Sequence, residues 1–242
     1  MVKHAGTQPE VAVEIRTLCI DIGGTGLKVL VADVNGAPLT ERVRVETPKP
    51  ATPQAVLAQL FAMIGQIGEF ERLSVGFPGV VEDGVTRTAP NLGEAWRDFP
   101  LADTLNREFG KPVRVLNDAG VQGHGVIEGR GTELVLTLGT GMGFALFVDG
   151  RYVPNLEMAH HPLRNKKSYE QTIGNVALEK VGKKRWNKRV HKVLAQLQPI
   201  FNPRCIYLGG GNAKHLKGEL PGNVKITDNL AGLFGGVALW KY

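Results

Sequence analysis

Short apolar runs separated by glycine-rich turns make up most of the chain. Residues 18–22 and 28–34 are two such runs of strand length, and the second closes on Asn35-Gly36, a hairpin signal. Residues 73–76 form another strand-like run leading into Phe77-Pro78-Gly79, and residues 113–116 a further one ending at Asn117-Asp118. Asp83-Gly84 marks a second hairpin. Residues 47–53 are proline-rich and extended, after which Thr52-Pro53 is the N-cap and first position of a helix reaching residue 64. A short helix over 101–109 is stopped by Gly110.

The second half repeats this outline. Residues 134–138 and 144–148 are strands joined through Gly139-Thr140-Gly141, and the return strand ends at Asp149-Gly150. Helical spacing follows over 169–182 and 183–198, where Trp186, Val190, Val193, Leu194 and Leu197 share one face. A strand at 205–208 runs into Gly209-Gly210-Gly211-Asn212; a short strand at 224–226 precedes a small-residue helix at 231–238. Two strand–Gly-Thr-Gly–strand units in one chain suggest two related lobes facing each other. Chance recurrence of a common hairpin is the other explanation.

Composition narrows the class. The 242 residues suffice for one large domain or two small ones around a shared cleft, with apolar and charged fractions of an ordinary globular protein. No run is long and apolar enough to span a membrane, and residues 1–10 lack the apolar core of a signal peptide, so the first 14 residues are expected to be a loose leader. Cys19 and Cys205 each sit inside an apolar strand, which suits reduced, buried thiols and a cytoplasmic protein. The net charge of +6 favours anionic partners, and much of it falls between Lys166 and Lys192.

The candidate chemistry starts at Asp21-Ile22-Gly23-Gly24-Thr25-Gly26-Leu27-Lys28. Gly23, Gly24 and Gly26 lack a Cβ, so phosphate oxygens can approach the backbone N–H groups. Asp21 would lie near Mg²⁺ or its waters, while Thr25 and Lys28 could add a hydroxyl and a cation. A plain hairpin whose glycines serve only the turn fits the same residues. No Gly-x4-Gly-Lys-Ser/Thr is present, which excludes a P-loop. The glycine turns lead into strands rather than helices, which disfavours a dinucleotide fold. What remains is the hairpin phosphate loop of actin-like kinases. Asp118 ends a buried strand, where ligands bind in α/β sheets, and could act as a general base; Asn-Asp is equally a common turn pair.

These motifs together resemble the ROK (repressor, open reading frame, kinase) sugar kinases, and within them the polyphosphate glucokinases. The resemblance runs from about Leu18 to the C-terminus through the Asp21–Gly26 loop, Gly76-Phe77-Pro78-Gly79, Leu116-Asn117-Asp118-Ala119, Leu136-Thr137-Leu138-Gly139-Thr140-Gly141 and Glu157-x-x-His160. Gly182-Lys183-Lys184-Arg185-Trp186 and Gly209-Gly210-Gly211-Asn212 are similar to the polyphosphate subgroup in particular.

The resemblance implies an α/β, two-lobed actin-like ATPase (ribonuclease H-like) fold with its active site in the interlobe cleft. Residues 1–118 would form the first lobe and 119–226 the second, with a C-terminal helix over about 227–242 packing back onto the first. Asp118 would be the base that deprotonates a sugar hydroxyl. Gly79, Asn91, Asn117, Asp118, Glu157 and His160 would bind the sugar. Asp21, Gly23, Gly24, Thr25, Gly26 and Lys28 would hold phosphate from one side, and Thr137, Gly139, Thr140 and Gly141 from the other. Gly209, Gly210 and Gly211 would meet the nucleotide or the continuing phosphate chain. Asp21 would serve Mg²⁺, directly or through water.

The implied reaction is transfer of a phosphoryl group from polyphosphate, ATP or both to the 6-hydroxyl of glucose. The implied assembly is a homodimer, with no nucleic-acid or membrane partner. Lys183, Lys184, Arg185, Lys188 and Arg189 would contact polyphosphate, although charge runs are also commonly solvated helix faces. Two departures stand out. Ala159 occupies the family's usual glycine in Glu157-Met158-Ala159-His160, which would disturb the loop if that position needs positive φ. No cysteine follows His160 before Cys205, so no structural zinc is expected. A non-catalytic sugar or polyphosphate sensor on the same fold, or a kinase for mannose or an N-acetyl amino sugar, are the alternatives.

Overall fold

The computed structural model describes residues 15–164, 166–227 and 231–241. The expected leader, Asn165, residues 228–230 at the start of the expected C-terminal helix, and Tyr242 lie outside them. In chain order the elements are β1 (Thr17–Ile22), β2 (Leu27–Ala32), β3 (Val43–Val45), α1 (Pro53–Ile64), β4 (Arg72–Phe77), β5 (Val81–Glu82), β6 (Val85–Thr86), α2 (Leu101–Phe109), β7 (Val113–Asn117) and α3 (Asp118–His124). There follow β8 (Thr132–Leu138), β9 (Met142–Val148), β10 (Arg151–Val153), β11 (Pro162–Arg164), β12 (Lys167–Ser168), α4 (Tyr169–Ile173), α5 (Asn175–Phe201), β13 (Cys205–Gly209), β14 (Val224–Ile226) and α6 (Ala231–Ala238).

The local signals act as their chemistry requires. Thr52 Oγ1 accepts from Ala55 N at 3.3 Å and starts α1 with Pro53 in its first turn. Gly110, at φ 60°, ends α2 in the left-handed region. Asp83 and Gly84, both at positive φ, form the two-residue turn between β5 and β6. Within α5, Gly182 leaves helical geometry at φ 73° and ψ 160°, so the element is two helices joined at the residue where the sequence changes pattern.

Two five-stranded sheets share one plan. The first has the order β3-β2-β1-β4-β7 and the second β10-β9-β8-β13-β14. In each, the leading strand pairs antiparallel with the next (β1 with β2, β8 with β9) and parallel with a later one (β4, β13). The echo between the Gly-Thr-Gly hairpins therefore extends to the topology of both lobes.

Side-chain alternation builds the layers. Leu18, Ile20 and Ile22 face α1 and α2 in one core, while Cys19, between them in sequence, joins Leu30, Ala32 and Val237 on the opposite face. In the second sheet Leu134, Leu136 and Leu138 face Trp186, Val190, Val193, Leu194 and Leu197 of α5, and Val135 turns the other way towards Ala119 and Phe147. Helices α3 and α6 therefore occupy the layer between the sheets. They approach closely: a Cβ on Gly235 would lie 1.7 Å from the Val121 carbonyl oxygen. The chain end is fixed on the first lobe, where Trp240 Nε1 donates to Ser74 Oγ at 2.8 Å and the guanidinium groups of Arg72 and Arg114 both lie over its ring. Cys19 and Cys205 are buried and free, and burial pushes the Cys19 thiol up to about 12.

Candidate active site

The register of the first sheet sets one wall of the site. Asp21 pairs with Lys28 on β2 and with Gly76 on β4, and Gly76 pairs with Leu116 on β7. The turn between β1 and β2 is closed by Gly23 N donating to Gly26 O at 3.0 Å, and Thr47 Oγ1 donates to Gly23 O at 2.5 Å. Lys28 Nζ reaches Asp21 Oδ2 at 2.6 Å. Asn91 sits over the loop, close enough that a Cβ on Gly24 would lie 3.0 Å from the Asn91 Cβ.

The opposite wall is the equivalent turn of the second sheet. Gly139 N donates to Gly141 O at 3.1 Å, and Gly143 N donates to Thr137 Oγ1 at 3.1 Å. Thr137 thus occupies the register position that Asp21 has in the first lobe, with Gly143 in place of Lys28. The amide of Asn175, opening α5, donates to the carbonyls of Gly139 and Thr140, and Asn212 Nδ2 donates to Gly139 O at 3.1 Å. Gly210 needs to be glycine twice over, because its φ is 85° and a Cβ would lie 2.4 Å from the Leu138 carbonyl oxygen.

Between the walls, β7 passes directly into α3. Asn117 caps that helix, its Oδ1 accepting from Ala119 N at 3.0 Å and Gly120 N at 3.3 Å, while its Nδ2 donates to Gly79 O at 3.2 Å. The Asn117 side chain thereby joins the Gly79 turn to the helix start. Asp118 is the first helical residue, and its Oδ1 accepts from Ala119 N at 2.7 Å. Burial, followed by the like charge of Asp21, pushes the Asp118 carboxyl up to about 7, with a smaller push from Glu157. The Ala119 amide and Lys28 act in the other direction.

Glu157 Oε2 lies 3.4 Å from His160 Nε2 across a turn of 3-10 helix at Met158–His160. Burial raises the Glu157 carboxyl above its ordinary range. Ala159 has negative φ and a buried methyl, so alanine fits this loop without strain. His161 is exposed.

These elements enclose a cleft of about 460 Å³. It gathers Asp21, Gly23, Gly24, Thr25, Gly26, Lys28, Gly79, Asn91, Asn117 and Asp118 from the first lobe and its junction with α3. From the second come Thr137, Gly139, Thr140, Gly141, Glu157, His160, Gly210 and Gly211. Gly209 lies behind this lining, paired with Thr137 inside the sheet. The five cations of the basic run lie outside it. Lys183, Lys184, Arg185 and Lys188 are exposed on α5, and Arg189 Nη1 donates to Thr172 O at 3.3 Å. Arg42, Arg44 and Glu170 also line the cleft and were missed from the sequence. Glu170 Oε2 accepts from Met142 N at 3.3 Å beside the second loop. The arginines had a legible signal: Arg42-Val43-Arg44-Val45-Glu46 alternates strictly, as an edge strand does.

A sequence model described as the ROK family matches residues 17–154. The chain belongs to the ROK family. The polyphosphate glucokinase of Mycobacterium tuberculosis (strain CDC 1551 / Oshkosh) is 32% identical to this ROK chain over 234 residues, covering 89% of it and 88% of that protein. The crystal structure of an inorganic polyphosphate/ATP-glucomannokinase from Arthrobacter sp. strain KM superposes with a TM-score of 0.83 at 30% identity. That match covers 94% of this chain and 100% of the other. A ROK family glucokinase from Streptomyces griseus, solved with glucose and AMPPNP, shares the fold at a TM-score of 0.78 and 21% identity, over 93% of this chain and 98% of that one. Among the described residues no helix is long and apolar enough to cross a membrane.

Proposed function

We propose that this chain is a Mg²⁺-dependent glucokinase that draws its phosphoryl group from polyphosphate and also accepts ATP. The observation carrying this reading is the position of Asp118, between two glycine phosphate loops and with its carboxyl raised to about 7. A base with that proton affinity is half ionised near neutrality, which suits proton removal from a hydroxyl during attack. In this reading the sugar 6-oxygen attacks the terminal phosphorus, Asp118 takes its proton, and the bridging P–O bond breaks. The donor leaves one phosphate shorter. Glu157 and His160 hold ring hydroxyls as acceptor and donor, and Asn91, Asn117 and Gly79 fix the sugar edge against the first lobe. Amides of the Gly23–Gly26 and Gly139–Gly141 turns receive charge on the phosphate oxygens.

The donor set suits Mg²⁺. Among the described residues no group of three or more acidic, His or Cys side chains forms a protein cage. Mg²⁺ commonly uses one or two carboxylates plus waters and substrate phosphates, and the repulsion between Asp21 and Asp118 is what a divalent cation would relieve. Asp21 would hold the ion, through water where Lys28 occupies Oδ2, and the ion would neutralise charge on the donor's oxygens.

The similarity to polyphosphate glucokinases and to a polyphosphate/ATP-glucomannokinase supports both donors and admits mannose as a second sugar. The cations at 183–189 lie outside the cleft, and the reading does not depend on them. A cytoplasmic, homodimeric glycolytic enzyme is the setting we propose. Incubation with glucose, Mg²⁺ and either donor, followed by assay of glucose 6-phosphate, tests the reading. Absence of product with both donors would overturn it, and product from ATP alone would remove the polyphosphate part.

A further inference from the structure

Beyond the first phosphate loop, the sheet continues outward as a row of charged side chains. Asp21, Lys28 and Arg44 are register partners on adjacent strands β1, β2 and β3, so they stand side by side on one face. Lys28 is matched to Asp21 at 2.6 Å, which leaves that pair with no net charge. Arg44 is the first unmatched charge in the row. Its guanidinium lies against the loop itself, since a Cβ on Gly26 would come within 3.0 Å of Arg44 Nε and Nη2.

Arg42 stands immediately before β3, two residues from Arg44 and on the side of Arg44 away from the loop, since β3 runs towards the loop as Val43 pairs with Val29 and Val45 with Leu27. Both arginines are exposed and both line the cleft. Neither has a carboxylate partner among the described residues, although Arg42 and Arg44 are the two arginines that line the cleft. Glu46, two residues after Arg44, is not part of the cleft lining. Two unpaired guanidinium groups in a line leading away from a phosphate cradle form a track for repeating anionic charge. A nucleoside triphosphate is too short and ends in an uncharged base, so the outer cation has little to meet.

We propose that Arg44 and Arg42 bind the phosphates of an inorganic polyphosphate chain beyond the transferred group, so that the donor leaves the cleft along β3. This rests on the polyphosphate reading above. Arginine suits the task because its planar fork pairs with phosphate oxygens in a bidentate manner. Each phosphate neutralised releases condensed counterions, which ties affinity to salt.

The test is direct binding of a defined polyphosphate of several tens of units, and of inorganic tripolyphosphate, by titration calorimetry across a salt series. The proteins are the wild type, R42Q/R44Q, R42K/R44K and K183A/K184A/R185A, each checked by thermal melting. In R42Q/R44Q the slope of log K against log salt should become shallower by about 1.5–2. Long-chain affinity should fall about tenfold more than tripolyphosphate affinity. R42K/R44K should restore the slope, because it restores the charge. An unchanged slope in R42Q/R44Q, an equal loss for both ligands, or a slope that falls only in the helix variant would overturn the track while leaving the donor reading intact. Failure of the wild type to bind long chains at all would remove the donor reading together with the track.

Discussion

Lys28 Nζ and Asp21 Oδ2 meet at 2.6 Å across adjacent strands, and both charges act on the carboxyl of Asp118. Asp21 raises its proton affinity and Lys28 lowers it. If Asp118 is the base, only its ionised form is productive, so kcat/KM for glucose should rise with pH through about 7. Lys28→Met removes the cation that favours the carboxylate and leaves Asp21 unopposed. The acid limb of the profile should then move to higher pH. A pH–rate series for both proteins checks this, and a limb that stays in place would show that Lys28 does not tune the base.

Asp118→Asn keeps the size and the acceptor towards Ala119 N but cannot take a proton. Turnover should fall by about 10²–10⁴-fold. Glucose binding measured by calorimetry should stay within a few-fold of wild type, because the amide still accepts a hydrogen bond. Near-normal turnover would transfer the base role elsewhere.

Much of this site was legible because its parts are local. Glycine turns, Asn117-Asp118 and the alternating apolar strands are patterns of a few adjacent residues, and each maps to a strand end facing the cleft. Helix α3 was not legible. Its sequence Asp118–His124 includes two glycines, which disfavour a helix; the Asn117 cap and the contacts of Ala119 with Val135 and Phe147 compensate across the chain. Arg44 was missed for a related reason. Its nearness to Gly26 depends on the pairing of β2 with β3, and the alternation at 42–46 marks a strand without saying which neighbour it joins. The basic run is the converse case. Its charge is obvious in sequence, but Trp186, whose Nε1 donates to Ile173 O at 2.7 Å, fixes that helix to its own lobe with the cations outside the cleft.

Ala159 gives a prediction opposite to the one its sequence context invites. A glycine requirement would make Ala159→Gly a gain for sugar binding. In the structure the residue has ordinary φ within a 3-10 turn and a buried methyl. The glycine variant should therefore leave KM for glucose within about threefold and lose roughly 0.5–1 kcal/mol of stability through backbone entropy. Steady-state kinetics and a denaturant melt decide the matter. A KM improved tenfold or more would mean that alanine does strain the loop.

The layer between the two sheets offers the sharpest stability test. Gly235 in α6 faces the backbone of α3, and a methyl there would lie 1.7 Å from Val121 O and 2.8 Å from its carbonyl carbon. Two effects oppose each other in Gly235→Ala. Helix propensity favours alanine by about 1 kcal/mol. Against it, the contact is backbone on both sides, so no flexible side-chain end can yield, and the helices must separate. Overpacking of this kind costs typically about 1–3 kcal/mol or more. A backbone contact this short belongs at the upper end of that range, so the clash should win by about 2 kcal/mol, lowering Tm by roughly 4–8 °C for a chain of this size. Gly222→Ala is the control, since a Cβ there meets nothing within 4 Å. It should stay within about 0.5 kcal/mol of wild type. Because α3 begins at Asp118, separation of the helices also displaces the proposed base, so Gly235→Ala should lose turnover before it unfolds. A variant with unchanged Tm and unchanged kcat would mean that α6 does not press on α3 in solution.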